Sequence, residues 1–345
     1  MSRKRDLLYG AQLGDYKDRR TVPPTRDIEL AAQTLRQGGL VAFPTETVYG
    51  LGADAENVTA IARLFAVKGR PATHPLIVHL PSAEALPQWA ARLSASARVL
   101  AEECWPGPLT LLVEKSARVP DATTGGLASV GLRVPAHPVA LELLKRFAGG
   151  IAAPSANRFG RVSPTRVEHV LADLGDDVDL LLDGGECSVG VESTILDVTS
   201  DVPVLLRPGG VTVERIESLL GRAVSRSPAS DVRAPGMLAS HYAPQARVEV
   251  LEEGALVARA RELTLGGERV ALLISPQDDR EALASLQRVI LLDLGATSEA
   301  AAQRLYGALR AADAQGATVV LASPPAASGL GEALADRLSK AAAPR

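Results

Sequence analysis

The sequence predicts an α/β protein in which a domain built on a twisted mixed sheet precedes a smaller domain built on a parallel sheet. Short apolar runs that end in proline, glycine or serine alternate with segments of helical period along most of the 345 residues. Residues 222–245 interrupt this alternation with serines and prolines. From Ala246 it resumes as four successive strand–helix units, which are typical of parallel sheets. The predicted divisions are therefore 25–221, 222–245 and 246–345.

Cap and turn residues define the elements of the first domain. Helices are predicted to begin at Ile28, after Asn57, and at Ala83, Ser94, Pro138, Ser163 and Val213. Strands are predicted over 40–43, 76–80, 109–113, 130–134, 151–153, 180–182, 193–198 and 202–206. Asn57 and Ser94 suit helix N-termini, whereas Gly69 and Pro71 end the helix that follows Asn57. The polar segment 44–52 is predicted to be a loop after the first strand.

The last domain has a simpler pattern. Its strands are predicted over 248–251, 270–274, 289–292 and 319–322, and its helices over 255–263, 280–286, 298–312 and 330–338. No G-x-G-x-x-G sequence follows the first of these strands, and no P-loop sequence is present. We therefore predict a small parallel sheet that binds no dinucleotide of its own.

Composition argues against several classes of protein. The net charge of −3 and the aromatic content of 3% do not suit a surface devoted to nucleic acid. Cys104 and Cys187 are too few for a disulfide scaffold or a cysteine-rich zinc module. No apolar run reaches the ~18 residues that span a bilayer, and the polar N-terminus lacks a signal-peptide core. We expect a cytoplasmic protein with no membrane partner, in which residues 2–5 belong to a flexible terminus.

Two cations stand just beyond a predicted helix end. Lys68 and Arg70 flank Gly69, where the helix after Asn57 stops, and they face the polar loop 44–52. Two fixed cations beside such a loop suit an anionic ligand, and a nucleoside triphosphate is the first candidate. A solvated pair that interacts with the negative end of the helix dipole is the alternative explanation.

Further polar side chains follow or end predicted strands. They are Thr45, Thr47, Tyr49, His79, Arg133, Ser155, Asn157 and Arg207. Because α/β folds collect ligands at strand ends, we expect the two arginines of this set to join Lys68 and Arg70 in one pocket. Taken singly, each also fits an ordinary explanation as a core histidine, a turn residue or a surface arginine.

Covalent catalysis and zinc find little support in the sequence. Neither cysteine has a histidine or paired cation beside it, and no histidine–cysteine spacing suggests zinc. Three carboxylates near a glycine-rich loop, Asp183, Glu186 and Glu192, are candidates to hold magnesium through water. The sequence alone leaves the metal ligands unknown.

Eight short motifs follow one another along the first domain. They lie at 44–52 (PTETVYGLG), 68–71 (KGRP), 75–79 (PLIVH), 105–110 (WPGPLT), 133–138 (RVPAHP), 153–157 (APSAN), 191–194 (VEST) and 206–209 (LRPG). Their types and order resemble one known family, the L-threonylcarbamoyladenylate synthases with a YrdC-type domain. The match spans residues 25–221. Residues 235–237 (PGM) and 241–244 (HYAP) resemble the linker of the family's long form, which adds a small Rossmann-like domain.

The resemblance implies that L-threonine, bicarbonate and ATP react to give threonylcarbamoyl-AMP and pyrophosphate, the first step of threonylcarbamoyladenosine modification of tRNA. It implies Lys68 and Arg70 as catalytic residues within an ATP site of Lys68, Arg70, His74, Ser129, Ser155, Asn157, Ser163, Arg207 and Tyr242. It implies an L-threonine site of Thr47, His79, Arg133, Ala153 and Ser193. The linker would cover this site, and Mg²⁺ would accompany ATP. The product would pass to the tRNA threonylcarbamoyl transferase machinery without stable tRNA binding by this chain.

The chain departs from the family pattern at a few positions. His74 stands where the family commonly has asparagine. Leu238, Ala239 and Ser240 replace linker residues that are often basic or aromatic. These departures affect expected contacts to ATP rather than the predicted fold.

Two other functions fit parts of the pattern. An RNA-binding module of the same type would use the cationic cleft, but the acidic net charge and scarce aromatic residues argue against it. A carbamoyl transferase of hydrogenase maturation carries a similar domain but also needs zinc-finger cysteines, and this chain has two cysteines. The sequence therefore favours the synthase.

Overall fold

The computed structural model describes residues 22–226, 235–236, 241–252, 254–276, 278–323, 325 and 328–344. Within these residues the chain forms two sheets with helices packed against them, so the predicted α/β class is confirmed. The first sheet has nine strands of mixed direction, and the second has four parallel strands. Both predicted kinds of sheet are therefore present.

The first sheet carries the polar strand ends singled out in the sequence. Its strands are β1 (Val41–Phe43), β2 (Gly50–Asp54), β3 (Ile77–His79), β4 (Leu109–Glu114), β5 (Ser129–Arg133), β6 (Ile151–Ala152), β7 (Leu180–Leu181), β8 (Thr194–Asp197) and β9 (Val204–Arg207). Their spatial order is β7-β1-β2-β6-β3-β5-β4-β8-β9. Parallel pairing of β3 with β5 sets His79 beside Arg133. On the other side of β3, the Ala153 amide donates to the Ile77 oxygen at 2.9 Å. The register thus gathers three predicted site residues around β3.

Cap residues begin and end the helices of this domain largely as predicted. The helices are α1 (Ile28–Arg36), α2 (Val58–Lys68), α3 (Leu86–Trp89), α4 (Ala95–Cys104), α5 (Asp121–Thr124), α6 (Pro138–Phe147), α7 (Val167–Leu174) and α8 (Val213–Leu220). The side chains of Asn57 and Ser94 accept from backbone amides in the first turns of α2 and α4. Gly69 ends α2 with φ 63°, a left-handed conformation that glycine adopts without steric cost.

Two predictions for this domain were wrong. The segment 44–52 is not loop throughout, because its last residues form the start of β2, antiparallel to β1. The strand was not predicted because it contains glycine, which has a low strand propensity. Close packing requires glycine here, since a Cβ on Gly52 would lie 2.8 Å from Ile151 and 2.9 Å from Phe43. The helix expected from Ser163 begins instead at Val167, and Ser163 lies in a buried loop.

The second sheet follows the predicted alternation. Its strands are β10 (Arg247–Val250), β11 (Val270–Ile274), β12 (Val289–Asp293) and β13 (Val319–Ala322), and its helices are α9 (Leu256–Leu265), α10 (Arg280–Ala284), α11 (Ser298–Ala314) and α12 (Leu330–Ala342). All pairings in the order β10-β13-β11-β12 are parallel. Across the described ranges, no helix combines the length and apolarity needed to cross a membrane.

Candidate active site

A cavity lies along β3, where the loops that follow β1 and β6 meet the segments around β8 and β9. Its accessible volume in this structure is about 60 Å³, which is below the usual range for small-ligand sites. Its polar lining comprises Thr45, Thr47, Lys68, Arg70, His79, Arg133, Ser155, Asn157, Glu192, Ser193, Arg207, His241 and Tyr242. Ala153, Pro235 and Gly236 also line it. The four cations that the sequence suggested for one pocket therefore share this cavity.

Lys68 and Arg70 enter the cavity from the end of α2. The Lys68 ammonium donates to the backbone oxygens of Ser155 and Asn157, and Arg70 Nη2 donates to the Pro75 oxygen at 3.0 Å. Both side chains are buried, and neither forms an ion pair with a carboxylate of the described residues. Burial lowers the pKa of Lys68 well below its usual value and lowers the pKa of Arg70 to about 10. An anionic ligand would favour the charged form of both groups.

Arg133 is held in the cavity by three neighbours. Its Nε donates to the Gly107 oxygen at 3.2 Å, and its Nη1 donates to Thr47 Oγ1 at 2.9 Å. Nη2 forms an ion pair with Glu46 Oε1 at 2.7 Å. Glu46 and Arg133 are both buried. The guanidinium is therefore fixed in orientation before any ligand arrives.

Arg207 connects the sheet to the linker. Its Nε and Nη2 donate to the Ser193 oxygen at 3.1 and 2.8 Å, and Nη2 also contacts Ser193 Oγ at 3.2 Å. Its Nη1 donates to the Pro235 oxygen at 3.0 Å. Ser193 Oγ also lies 2.8 Å from Thr110 Oγ1. One guanidinium thus holds both a cavity loop and part of segment 222–245.

The end of the linker closes part of the cavity. Tyr242 is 1% exposed and adopts φ 61°, a left-handed conformation that is uncommon for a residue other than glycine. The His241 amide donates to the Lys340 oxygen at 3.2 Å, and the Ala243 amide donates to the Gly160 oxygen at 3.1 Å. Backbone strain of this kind persists where surrounding contacts determine it, often at functional sites. The contacts therefore tie this strained segment to both parts of the protein.

Two buried histidines in the cavity are neutral at ordinary pH. Burial, with a smaller effect from Arg133, lowers the pKa of His79 to about 3. Burial also lowers the pKa of His241 to about 3, and the positive charges of Arg70 and Lys68 contribute to this shift. The Nδ1 atoms of both rings are buried without a hydrogen-bond partner. Both histidines are therefore suited to polar contact with a ligand as neutral rings.

The low histidine pKa values predict acid-dependent loss of stability. Between pH 6.5 and about 3 the unfolded chain binds protons that the folded histidines do not, so stability falls as the pH falls. We expect each histidine to account for about 2 kcal/mol of the loss between pH 7 and pH 5. Urea unfolding of the wild type and His79→Gln at both pH values measures this effect. A pH-dependent loss as large in the variant as in the wild type would contradict it.

Three predicted ATP ligands do not line the cavity. Ser163 is fully buried and donates to Glu192 Oε1 at 2.6 Å. Ser129 begins β5 opposite Glu114, and the His74 ring packs edge-on against Phe159 with centroids 5.6 Å apart. Their assignments to ATP stay predictions. The linker positions Met237, Leu238, Ala239 and Ser240, like residues 2–5, lie outside the described residues.

Sequence reasoning assigned no role to several residues that organise the site. Glu46 lies inside motif 44–52, and its position between the site residues Thr45 and Thr47 could have indicated that it belongs to the site. Glu192 was considered only as a magnesium candidate, yet it accepts hydrogen bonds from Ser163, Tyr306 and Arg337. Tyr306 and Arg337 lie more than a hundred residues away from Glu192, and no sequence pattern linked them to it.

The described residues offer no cluster of three or more histidine, cysteine, aspartate or glutamate side chains that suits a metal ion. Glu192 lines the cavity, but its oxygens already accept hydrogen bonds from the protein. Asp183 accepts from the Gly185 amide at 3.0 Å, and Glu186 pairs with Arg166 at 2.9 Å. These side chains therefore do not form a preassembled magnesium cage.

Comparison with known proteins places this cavity in context. The Sua5/YciO/YrdC family model, described as "Telomere recombination", matches residues 33–209, and the model "Threonylcarbamoyl-AMP synthase, C-terminal domain" matches residues 211–343. Threonylcarbamoyl-AMP synthase of Pyrococcus abyssi is 43% identical over 91% of this chain and 93% of its own length. The Bacillus subtilis protein of the same name is 39% identical over 92% and 93%. The crystal structure of P. abyssi Sua5 complexed with L-threonine superposes with a TM-score of 0.84 at 43% identity, over 91% of this chain and 94% of that one.

Proposed function

The chain belongs to the Sua5/YciO/YrdC family, and from this membership and the chemistry of its cavity we propose that it is a threonylcarbamoyl-AMP synthase. In the proposed reaction, L-threonine, bicarbonate and ATP give threonylcarbamoyl-AMP and pyrophosphate. The observation that carries the proposal is the shared cavity of Lys68, Arg70, Arg133 and Arg207. Such a cavity suits a reaction between two anionic partners.

The chemical step needs neutralisation and alignment of those partners. A carbamate oxygen of N-carboxythreonine attacks the α-phosphorus of ATP, a new P–O bond forms, and the bond to the pyrophosphate oxygen breaks. At about 4 Å and an effective dielectric near 20, one cation–anion contact is worth roughly 4 kcal/mol before desolvation. We assign this task to Lys68 and Arg70, which are buried in the lining. Charge that develops on the transferring phosphoryl group would be stabilised there.

The threonine side of the reaction is assigned to residues around β3 and β5. Arg133 is fixed in place by Glu46 and Gly107 and is suited to a carboxylate. Thr47 and Ser193 present hydroxyl groups to the same cavity, and His79 presents a neutral ring. Ala153 supplies apolar surface. This set can orient the amino acid through its carboxylate and its polar groups.

Enclosure supports the same chemistry. A carbamate decarboxylates or hydrolyses in open water, so a reaction that depends on one benefits from a covered site. Tyr242, Pro235 and Gly236 cover part of the cavity, and Arg207 bonds the Pro235 oxygen. Residues 235–236 and 241–242 therefore act as a lid in the proposed mechanism. It opens for ATP to enter and for pyrophosphate to leave.

Cofactor, partners and location follow as parts of the proposal. Because the described part of the lining offers no carboxylate cage, Mg²⁺ would arrive on the ATP phosphates, where it would neutralise their charge. The mixed anhydride product is a carbamoyl donor, so its consumer would be the tRNA threonylcarbamoyl transferase machinery. We place this chemistry in the cytoplasm, where tRNA, ATP and threonine are present together.

Threonine-dependent pyrophosphate release tests the function. We expect release with ATP, bicarbonate and L-threonine, with threonylcarbamoyl-AMP detected by mass spectrometry. Loss of one methyl group in L-serine should lower kcat/KM on the order of tenfold, because apolar contacts discriminate a methyl group by that amount. Pyrophosphate release without threonine, or none with all three substrates, would contradict the proposal.

The RNA-binding alternative finds no support in the site. Lys68 and Arg70 are only 3% and 8% exposed to solvent, and Arg133 and Arg207 are each 3% exposed. A polynucleotide needs cations along an open surface that follows its backbone. Buried cations in a partly covered cavity suit a small anion instead.

A further inference from the structure

A buried carboxylate joins the active site to the second sheet's helices. Glu192 lines the cavity and is 7% exposed. Arg337 of α12 donates from Nε to Glu192 Oε2 at 2.7 Å, and the Tyr306 hydroxyl of α11 donates to the same oxygen at 2.8 Å. Ser163 of the first domain donates to the other oxygen at 2.6 Å. One carboxylate therefore accepts hydrogen bonds from two parts of the chain that are distant in sequence.

The same two residues of the second domain hold Tyr242. The rings of Tyr306 and Tyr242 stack with centroids 5.7 Å apart and an interplanar angle of 27°. The Arg337 guanidinium lies 5.1 Å from the Tyr242 ring centroid and also donates to the Pro208 oxygen at 3.1 Å. Arg337 and Tyr242 are each 1% exposed, and Tyr306 is fully buried. The lid residue thus rests on side chains that do not line the cavity.

Electrostatics favours this arrangement. Burial by itself would raise the pKa of Glu192, but Arg337, Arg207 and the bonded donors outweigh it and lower the pKa to about 2. The carboxylate is therefore ionised over the working pH range. Glu192 directly precedes Ser193, whose oxygen and hydroxyl bind Arg207. A displacement of Glu192 would therefore also move the loop that carries Ser193.

We propose that Arg337 and Tyr306 are positioning residues for the synthase reaction: acting through Glu192 and Tyr242, they fix the cavity loop and the lid in the geometry that catalysis needs. This inference rests on the proposed function and gives the second domain a task in it. Neither residue contacts the cavity, so neither is a catalytic residue. Their effect reaches the substrates only through the two residues that they hold.

A second contact between the same parts of the protein supplies a matched control. Arg310 of α11 pairs with Asp173 of α7 at 2.6 Å and also donates to the Val162 oxygen. It lies outside the active-site lining and contacts neither Glu192 nor Tyr242. If the second domain only needs to stay attached to the first, substitution of Arg310 and of Arg337 should lower kcat by similar factors. If it positions the lid and the cavity loop, substitution of Arg337 should lower kcat more.

The experiment compares Arg337→Lys and Tyr306→Phe with Arg310→Lys in the full-length chain. Lysine keeps the charge but lacks the two-pronged guanidinium, and phenylalanine keeps the stacked ring but lacks the hydroxyl donor. We expect the first two variants to lose on the order of tenfold to a hundredfold in kcat for pyrophosphate release, because small misplacements of reacting groups are costly. Arg310→Lys should stay close to the wild type. The melting temperatures should fall no further in the test variants than in the control.

Amide hydrogen exchange gives a readout that does not depend on activity. The His241 and Ala243 amides are hydrogen-bonded, so they should exchange faster in Arg337→Lys and Tyr306→Phe and at the wild-type rate in Arg310→Lys. If Arg337→Lys fails to fold, Tyr306→Phe decides. Equal effects of Arg337→Lys and Arg310→Lys, or wild-type kcat and exchange in Tyr306→Phe, would overturn the inference. A wild-type chain without threonine-dependent turnover would overturn the proposed function, whereas the exchange comparison would still decide whether these residues hold the lid.

Discussion

Replacement of Arg70 by alanine is expected to lower kcat/KM for threonine-dependent pyrophosphate release by about 30- to 1000-fold, or about 2–4 kcal/mol of transition-state stabilisation. Arg70 is buried in the lining, its Nε lacks a hydrogen-bond partner, and its Nη2 bonds only to the Pro75 oxygen among the described contacts. Its charge therefore remains available for a phosphate group. Steady-state kinetics with varied ATP measures the loss.

The control for Arg70 is an arginine whose charge is already paired. Arg166 forms an exposed ion pair with Glu186 at 2.9 Å and does not line the active-site cavity. Arg166→Ala should keep the wild-type rate. Because burial makes the charge of Arg70 costly, its removal should not destabilise the fold, so the melting temperature of Arg70→Ala should not fall. Near-normal turnover by Arg70→Ala would remove the role assigned to this residue.

A fragment that ends at Arg226 is expected to fold but to lose at least about a hundredfold in turnover. This cut keeps the bridge between Val204 and Ser225, so the edge of the first sheet stays intact. It removes Tyr242 from the lining and takes away Pro235, whose oxygen accepts a hydrogen bond from Arg207. Of the three side chains that donate to the Glu192 carboxylate, only Ser163 remains. The cavity would then be open to water. Circular dichroism and cooperative urea unfolding test whether the fragment folds, and pyrophosphate release measures its loss of turnover.

A longer fragment separates the lid from the domain that holds it. A chain that ends at Gln245 keeps Tyr242 but lacks Tyr306 and Arg337, on which Tyr242 rests. We expect it to be nearly as inactive as the shorter fragment, because a segment with a left-handed tyrosine needs surrounding contacts to stay in place. Full activity of the fragment that ends at Arg226 would show that the linker is no lid. Full activity of the longer fragment alone would show that the lid needs no support.

The predicted elements succeeded where the signal was local. Asn57 and Gly69 fixed the two ends of α2, and that placed Lys68 and Arg70 together at its C-terminus. The run of strand–helix units after Ala246 predicted the parallel sheet, and its central strands β11 and β13 are unbroken apolar runs because they are buried along their whole length. The strand β2 was missed because Gly52 leaves no room for a Cβ against Phe43 and Ile151, and glycine has a low strand propensity.

The amino-acid sequence by itself determined the α/β class, the order of most elements and many of the candidate polar residues, since caps, periodicity and motifs act over a few residues. Only the tertiary structure decided which groups share a cavity and which support it. It set Ser163 against Glu192 rather than in the lining, fixed Arg133 with Glu46, and brought Tyr306 and Arg337 to Tyr242. Contacts of that kind join residues separated by long stretches of chain, and the packing of whole domains creates them.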